Sequence, residues 1–137
     1  MSEDPEPKWI SKEQVLRIYE RTIEQQGGLY SICDKGLLES ALARPENLYA
    51  YKEQDIFELA AAYAEGIVRN HPFVDGNKRT AYETADLFLY KNGHDLGIKD
   101  EKEQIAFFEN FAVGHVSREE LAEFYRQNTQ KIDRSRG

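Results

Sequence analysis

Between Asp55 and Asn70, seven apolar side chains recur at helical spacing: Ile56, Leu59, Ala60, Tyr63, Ala64, Ile67 and Val68. Steps of three and four residues put them on one face of an α-helix; a strand would scatter them over both of its faces. A chain whose longest apolar pattern has this period must bury that stripe against other helices, and the flanking sequence supplies them. Ser11 with Gln14 reads as a capping box ahead of Val15, Leu16, Ile18, Tyr19 and Ile23, and Gly27-Gly28 stops that helix. Asp34 caps a shorter helix carrying Leu37, Leu38, Ala41 and Leu42. It is expected to end near Arg44, because Pro45 disfavours helical geometry in the residue before it. Residues 45–54 then read as irregular or hairpin-like, with Tyr49 and Tyr51 alternating.

Asp55 with Glu58 reads as another capping box, expected to open the long helix. A further helix is expected from Asn77 or Lys78 through Tyr90, with Ala81, Tyr82, Ala85, Leu87, Phe88 and Leu89 on its apolar side and Asn92-Gly93 at its end. Asp100 with Glu103, and Ser117 with Glu120, mark two more helices. They carry Ile105, Phe107, Phe108 and Phe111, then Leu121, Phe124 and Tyr125. The expectation is an all-α bundle of about six helices with a small hairpin before the central pair, forming one domain over residues 1–137. The stretches 1–8 and 131–137 are expected to fray.

Charge and cysteine content narrow the partners. With 18 basic and 25 acidic residues the net charge is -7, which argues against nucleic acid as a partner. The single Cys33 allows no intramolecular disulfide, as suits a reducing compartment. The acidic, Pro-containing start MSEDPEPKW has no apolar signal core, and no apolar run approaches the ~20 residues of a membrane helix. A cytoplasmic protein with no membrane association is expected.

The chemistry is concentrated in residues 70–80, NHPFVDGNKRT. This is a loop between two helices, and the second helix starts inside it. A helix start offers unbonded N–H groups and the positive end of the dipole, both attractive to anions. Gly76 permits close backbone approach, Asn77, Lys78 and Arg79 add donors, and Arg69 adds charge nearby. Acidic residues are usual at a helix start, so the basic pair points to an anionic ligand such as a phosphate. His71 is placed to take a proton near neutral pH. Asp75 is a hard oxygen ligand suited to magnesium, with a plain helix cap as the competing reading. Pro72 stiffens the loop and Phe73 anchors it. The residues therefore describe nucleotide phosphate binding with magnesium and a histidine base acting on a hydroxyl. His94, His115 and Cys33 lack partners at useful spacing and read as structural or exposed.

The segment HPFVDGNKR resembles the signature of the Fic/Doc superfamily, a His-x-Phe-x-acid-x-Asn core followed by a basic helix start, matched at His71, Phe73, Asp75, Asn77 and Arg79. QQGGLYSICDKGLLESALARP and the later NGH are similar to the Doc branch, so the likeness spans nearly the whole chain. Lys78 stands where most AMP-transferring Fic enzymes have glycine, Tyr82 where they have a second arginine, and Glu83 where Doc proteins carry a polar amide. The resemblance implies His71 as general base and Asp75 as magnesium ligand. It implies Arg69, Gly76, Asn77, Lys78 and Arg79 as phosphate contacts, and 45–54, with Tyr49 and Tyr51, as a flap that positions the target. It further implies ATP and Mg2+, transfer of the γ-phosphate to a Ser/Thr hydroxyl of elongation factor Tu, and growth arrest. No inhibitory Ser/Thr-x-x-x-Glu-Gly/Asn helix is evident, so control by a separate antitoxin lying in the active-site groove is expected. The competing readings are a Fic-type transferase that attaches AMP or another nucleoside monophosphate, and a binding module without turnover.

Overall fold

A computed structural model describes residues 6–51, 53, 55–97 and 101–133. Within them lie six helices: α1 (Lys12–Gln26), α2 (Lys35–Ala50), α3 (Ile56–Asn70), α4 (Asn77–Lys91), α5 (Glu101–Ala112) and α6 (Arg118–Asn128). The all-α architecture is the one expected. Two capping boxes form as read: Gln14 N–H donates to Ser11 Oγ at 3.1 Å and Glu120 N–H to Ser117 Oγ at 3.0 Å. Asp34 caps α2 through the Gly36 N–H at 2.7 Å. Asp55 caps α3 through the Phe57 N–H at 2.9 Å. Glu58 does not complete a box there, because its carboxylate lies 3.4 Å from the Arg118 guanidinium. Asp100 lies outside the described residues.

α3 is the hub. Leu59, Ala60, Ala61, Ala62, Tyr63, Ala64, Gly66 and Ile67 are all buried, and α2, α4 and α6 pack around it. A helix hydrophobic on nearly all sides belongs in the middle of a bundle, and the alanine run lets its neighbours come close. Tyr63 carries the one polar group at its centre, and its hydroxyl accepts the Ile10 N–H at 2.9 Å.

The expected stop at Arg44 and the expected hairpin-like segment are corrected, since α2 continues through Pro45 to Ala50. Proline removes the bond to the carbonyl four residues earlier, here that of Ala41. Against this carbonyl Gly66 brings α3 close: a Cβ on Gly66 would lie 2.7 Å from the Ala41 oxygen. Pro45 itself is buried, and Leu48 and Tyr49 pack against the core. Tertiary burial on the far side of the proline outweighs the local preference to stop.

The chain ends are tied down further than expected. Pro7 is buried, and the Lys8 backbone exchanges hydrogen bonds with the Asn92 side chain at 2.8 and 3.1 Å. At the other end, β1 (His94–Asp95) pairs antiparallel with β2 (Gln130–Lys131), and Ile132 N–H donates to Gly93 O at 2.8 Å. Among the described residues no helix is long and apolar enough to cross a membrane.

Candidate active site

The loop between α3 and α4 begins with a left-handed residue that is not glycine. His71 closes α3 at φ 52°, ψ 57°, with its N–H on Ile67 O at 3.0 Å. Its imidazole is exposed and makes no hydrogen bond among the described residues. The loop then turns inward. Pro72 and Phe73 are buried, and the Phe73 ring stacks on Tyr19 with centroids 3.8 Å apart. Phe73 also forms an isolated antiparallel bridge with Ile32. Around that bridge, Cys33 N–H donates to Pro72 O at 2.7 Å and Val74 N–H to Ser31 O at 2.9 Å. The segment between α1 and α2 thus straps the loop in place.

Asn77 serves the loop. Its side-chain oxygen accepts the Phe73 N–H at 3.0 Å, and its amide donates to Phe73 O at 2.7 Å. Both polar atoms of the side chain are engaged in this reciprocal clamp within the loop, and the residue is buried accordingly. Its backbone is another matter. The first α4 hydrogen bond runs from Thr80 N–H to Gly76 O at 3.0 Å, and the N–H groups of Asn77, Lys78 and Arg79 have no partner among the described residues. Gly76 is left-handed at φ 82°, and a Cβ there would meet Ile23 and Thr22 of α1 at 3.2 and 3.3 Å. Glycine is required for the turn and for packing on α1.

Asp75 does not cap α4. Its Oδ2 accepts the Leu29 N–H at 2.8 Å, which leaves the α4 amides open to an anion. The residue is exposed, and its other oxygen has no partner among the described residues. Magnesium beside phosphates is commonly held by one or two carboxylates with phosphate oxygens and water. One exposed, oriented carboxylate beside the open α4 amides fits that ion. Among the described residues no cluster of three or more His, Cys, Asp or Glu side chains could hold a metal unaided, so a phosphate would have to complete the coordination.

His71, Val74, Asp75, Asn77 and Lys78 border one cleft of about 290 Å³. A second, of about 250 Å³, adjoins it across Gly76, Asn77 and Lys78 and has Arg79, Tyr82, Ile105 and Phe108 on its walls. Tyr82 donates its hydroxyl to Gln104 at 3.2 Å. Burial and the nearby Asp86 push its phenol up to about 12, so it stays protonated. The cradle cations lie against carboxylates, Lys78 3.5 Å from Glu109 and Arg79 2.8 Å from Glu83. Both pairs are solvent-accessible and so weak, and a polyphosphate can displace them.

The other site residues read from the sequence lie elsewhere. Arg69 donates to the carbonyls of Phe111 and Ala112, both at 3.2 Å, and covers the Phe111 ring. It closes the C-terminus of α5, where a cation is favoured. Tyr49 lies on α2 edge-on to Trp9, and Tyr51 is fully exposed just beyond that helix. Neither borders the two clefts, and residues 52 and 54 lie outside the described part. The sequence reading missed Glu109 and the apolar wall of the second cleft, which come from α5. It also missed the contact of Gly28 and Leu29 with Asp75, whose only sequence signal is a second glycine beyond what a helix stop needs.

The sequence is similar to that of known proteins. The sequence model of the Fic/DOC family matches residues 9–89. Over 119 residues the chain is 34% identical to a protein named protein kinase doc from Escherichia phage P1, covering 86% of this chain and 93% of that relative. Over 74 residues it is 43% identical to a protein named toxin Doc from Mycolicibacterium smegmatis, covering 51% of this chain and 55% of the relative. The loop, its helix start and these matches agree: the chain belongs to the Fic/DOC family.

Proposed function

We propose that this chain is a Doc-like toxin that moves the γ-phosphate of ATP onto a Ser/Thr hydroxyl of a protein in the cytoplasm. The target class is a translation factor such as elongation factor Tu, and a separate antitoxin occupies the groove until released. The observation that carries the reading is the single cleft bordered by His71, Asp75 and the unbonded N-terminus of α4. The imidazole of His71 takes the hydroxyl proton as the target oxygen attacks the γ-phosphorus. The bond from that phosphorus to the β–γ bridging oxygen breaks, and ADP leaves. The amides of Asn77, Lys78 and Arg79 and the two cationic side chains hold the phosphate oxygens. Magnesium, held by Asp75 when bound, would neutralise phosphate charge and draw electrons from the phosphorus.

The second cleft favours phosphate transfer over nucleotide transfer. Its Tyr82, Ile105 and Phe108 walls suit a flat base better than a charged phosphate. With the nucleoside there, the triphosphate runs along the α4 start and ends at His71, so the terminal phosphorus meets the base.

The test is intact-mass analysis of elongation factor Tu after incubation with the chain, ATP and magnesium. Added phosphate is expected. Added AMP, or transfer of an α rather than a γ label, would replace the reading with nucleotidyl transfer. An unmodified target, followed by a silent whole-lysate search with labelled ATP, would leave a binding module.

A further inference from the structure

We propose that the corner Gly28-Leu29, pinned by Tyr19, is the positioning element for Asp75 and sets how tightly the site holds its divalent cation. The inference rests on the reading of Asp75 as a metal ligand. A backbone donor reaches the carboxylate because residue 28 has no side chain. A Cβ there would lie 3.0 Å from Asp75 Cβ and 3.2 Å from its Cγ and Oδ2, and Gly28 sits at φ +108°, a region closed to most residues. The next residue then donates its N–H to Oδ2 at 2.8 Å. This charge-assisted bond fixes the carboxylate plane and turns the second oxygen outward.

The corner is itself held. The Tyr19 hydroxyl accepts the Ser31 N–H at 2.6 Å and lies 3.0 Å from both the Leu29 and Ser31 carbonyl oxygens, which share its proton. Its ring stacks on Phe73, the buried anchor of the catalytic loop. Ser31 O in turn accepts the Val74 N–H beside Asp75. One buried tyrosine therefore joins corner and loop into a single unit, and the Asp75 carboxylate spans the two.

The test is Mn2+ binding, followed by electron paramagnetic resonance, to the protein saturated with a non-hydrolysable ATP analogue. It is paired with the Mg2+ dependence of phosphate transfer. Removing an outer partner of a metal ligand typically weakens metal binding by about 10- to 100-fold, and that loss is expected for Gly28→Ala. The Mg2+ needed for half-maximal rate should rise in parallel, with the rate at saturating metal retained. A folded Gly28→Ala protein, with parental circular dichroism and parental Mn2+ binding, would overturn the proposal. If that variant does not fold, Tyr19→Phe decides, because it keeps the stack on Phe73 and loses only the hydroxyl. Weaker Mn2+ binding supports the proposal, and unchanged binding overturns it. Asp75→Asn separates the two layers. Parental Mn2+ binding in that variant removes the metal-ligand reading itself. Loss there, with retention in Gly28→Ala and Tyr19→Phe, removes only the role of the corner.

Discussion

His71 is held at φ 52°, the one positive φ among the described non-glycine residues. Such a conformation costs roughly 1–3 kcal/mol and persists where surrounding structure imposes it. Here α3 ends on one side and the buried Pro72-Phe73 pair follows on the other. The geometry aims an imidazole with no partner among the described residues into the cleft, so replacing it should remove chemistry and leave the fold intact. His71→Ala is expected to lower phosphate transfer by about 10²–10⁴-fold. Its unfolding free energy should stay within about 0.5 kcal/mol of the parent. Transfer measured with γ-labelled ATP and a urea melt check both halves, and parental transfer would remove His71 as the base. Lys78 has a different task. It stands on the first turn of α4 beside unbonded amides, facing a carboxylate that holds it only weakly. Lys78→Gly should cut γ-transfer by about tenfold or more, the scale of one charge-assisted phosphate contact. Unchanged γ-transfer, read with the same label, would show that the amides and Arg79 suffice.

Most elements formed as expected where their signals are local; the Asp55–Glu58 box is an exception, because Glu58 pairs with Arg118 of α6 instead. The Ser11–Gln14 and Ser117–Glu120 boxes, the Asp34 cap and the α4 start within the loop all depend on residues a few positions apart. The same locality exposed His71, Asp75, Lys78 and Arg79 together. Most of what stayed hidden depends on distant pairs. Pro45 argues for a stop only until α3 arrives to pack on Ala41. Arg69 meets the C-terminus of α5, which lies more than forty positions along the chain. The Asn77 side-chain clamp on Phe73 is local, spanning four residues, but no spacing rule announces it. The α2–α3 contact makes this testable. A methyl group at residue 66 would press on Ala41 backbone, with its O at 2.7 Å and Cα at 3.0 Å, and backbone cannot rotate away. Gly66→Ala gains helix propensity of about 1 kcal/mol, yet the clash should outweigh it. A net destabilisation of about 1–3 kcal/mol is expected from urea unfolding, and a stabilised variant would show that the two helices can slide apart freely.

Across the whole molecule, acidic residues exceed basic ones; on α4 the cations of the cradle stand on the first turn, and Glu83 and Asp86 follow further along. Asp86 lies in a small cleft with Glu83, Asp95 and Arg21. Burial, and then the charges of Glu83 and Asp95, push its carboxyl up to about 6, with Arg79 opposing. The nearby Tyr82 and Tyr125 phenols are themselves pushed up by burial and stay neutral. An unfolded aspartate titrates near ~3.9. Between about pH 4 and pH 6 the folded chain therefore keeps a proton that the unfolded chain has lost, and stability falls as pH rises through that window. At pH 7 the folded state carries a charge in a poorly solvated place. Asp86→Asn removes that charge while keeping the shape. The shift corresponds to roughly 3 kcal/mol at about 1.4 kcal/mol per pH unit. Allowing for the partial exposure of the group, a gain on the order of 1–2 kcal/mol at pH 7 is expected. Below about pH 4, where both side chains are neutral, variant and parent should converge. Urea melts from pH 4 to pH 8 read this directly. Parallel stability curves for the two proteins would mean that Asp86 titrates normally and that solvent reaches it more freely than its place in the cleft between α1, α4 and β1 suggests.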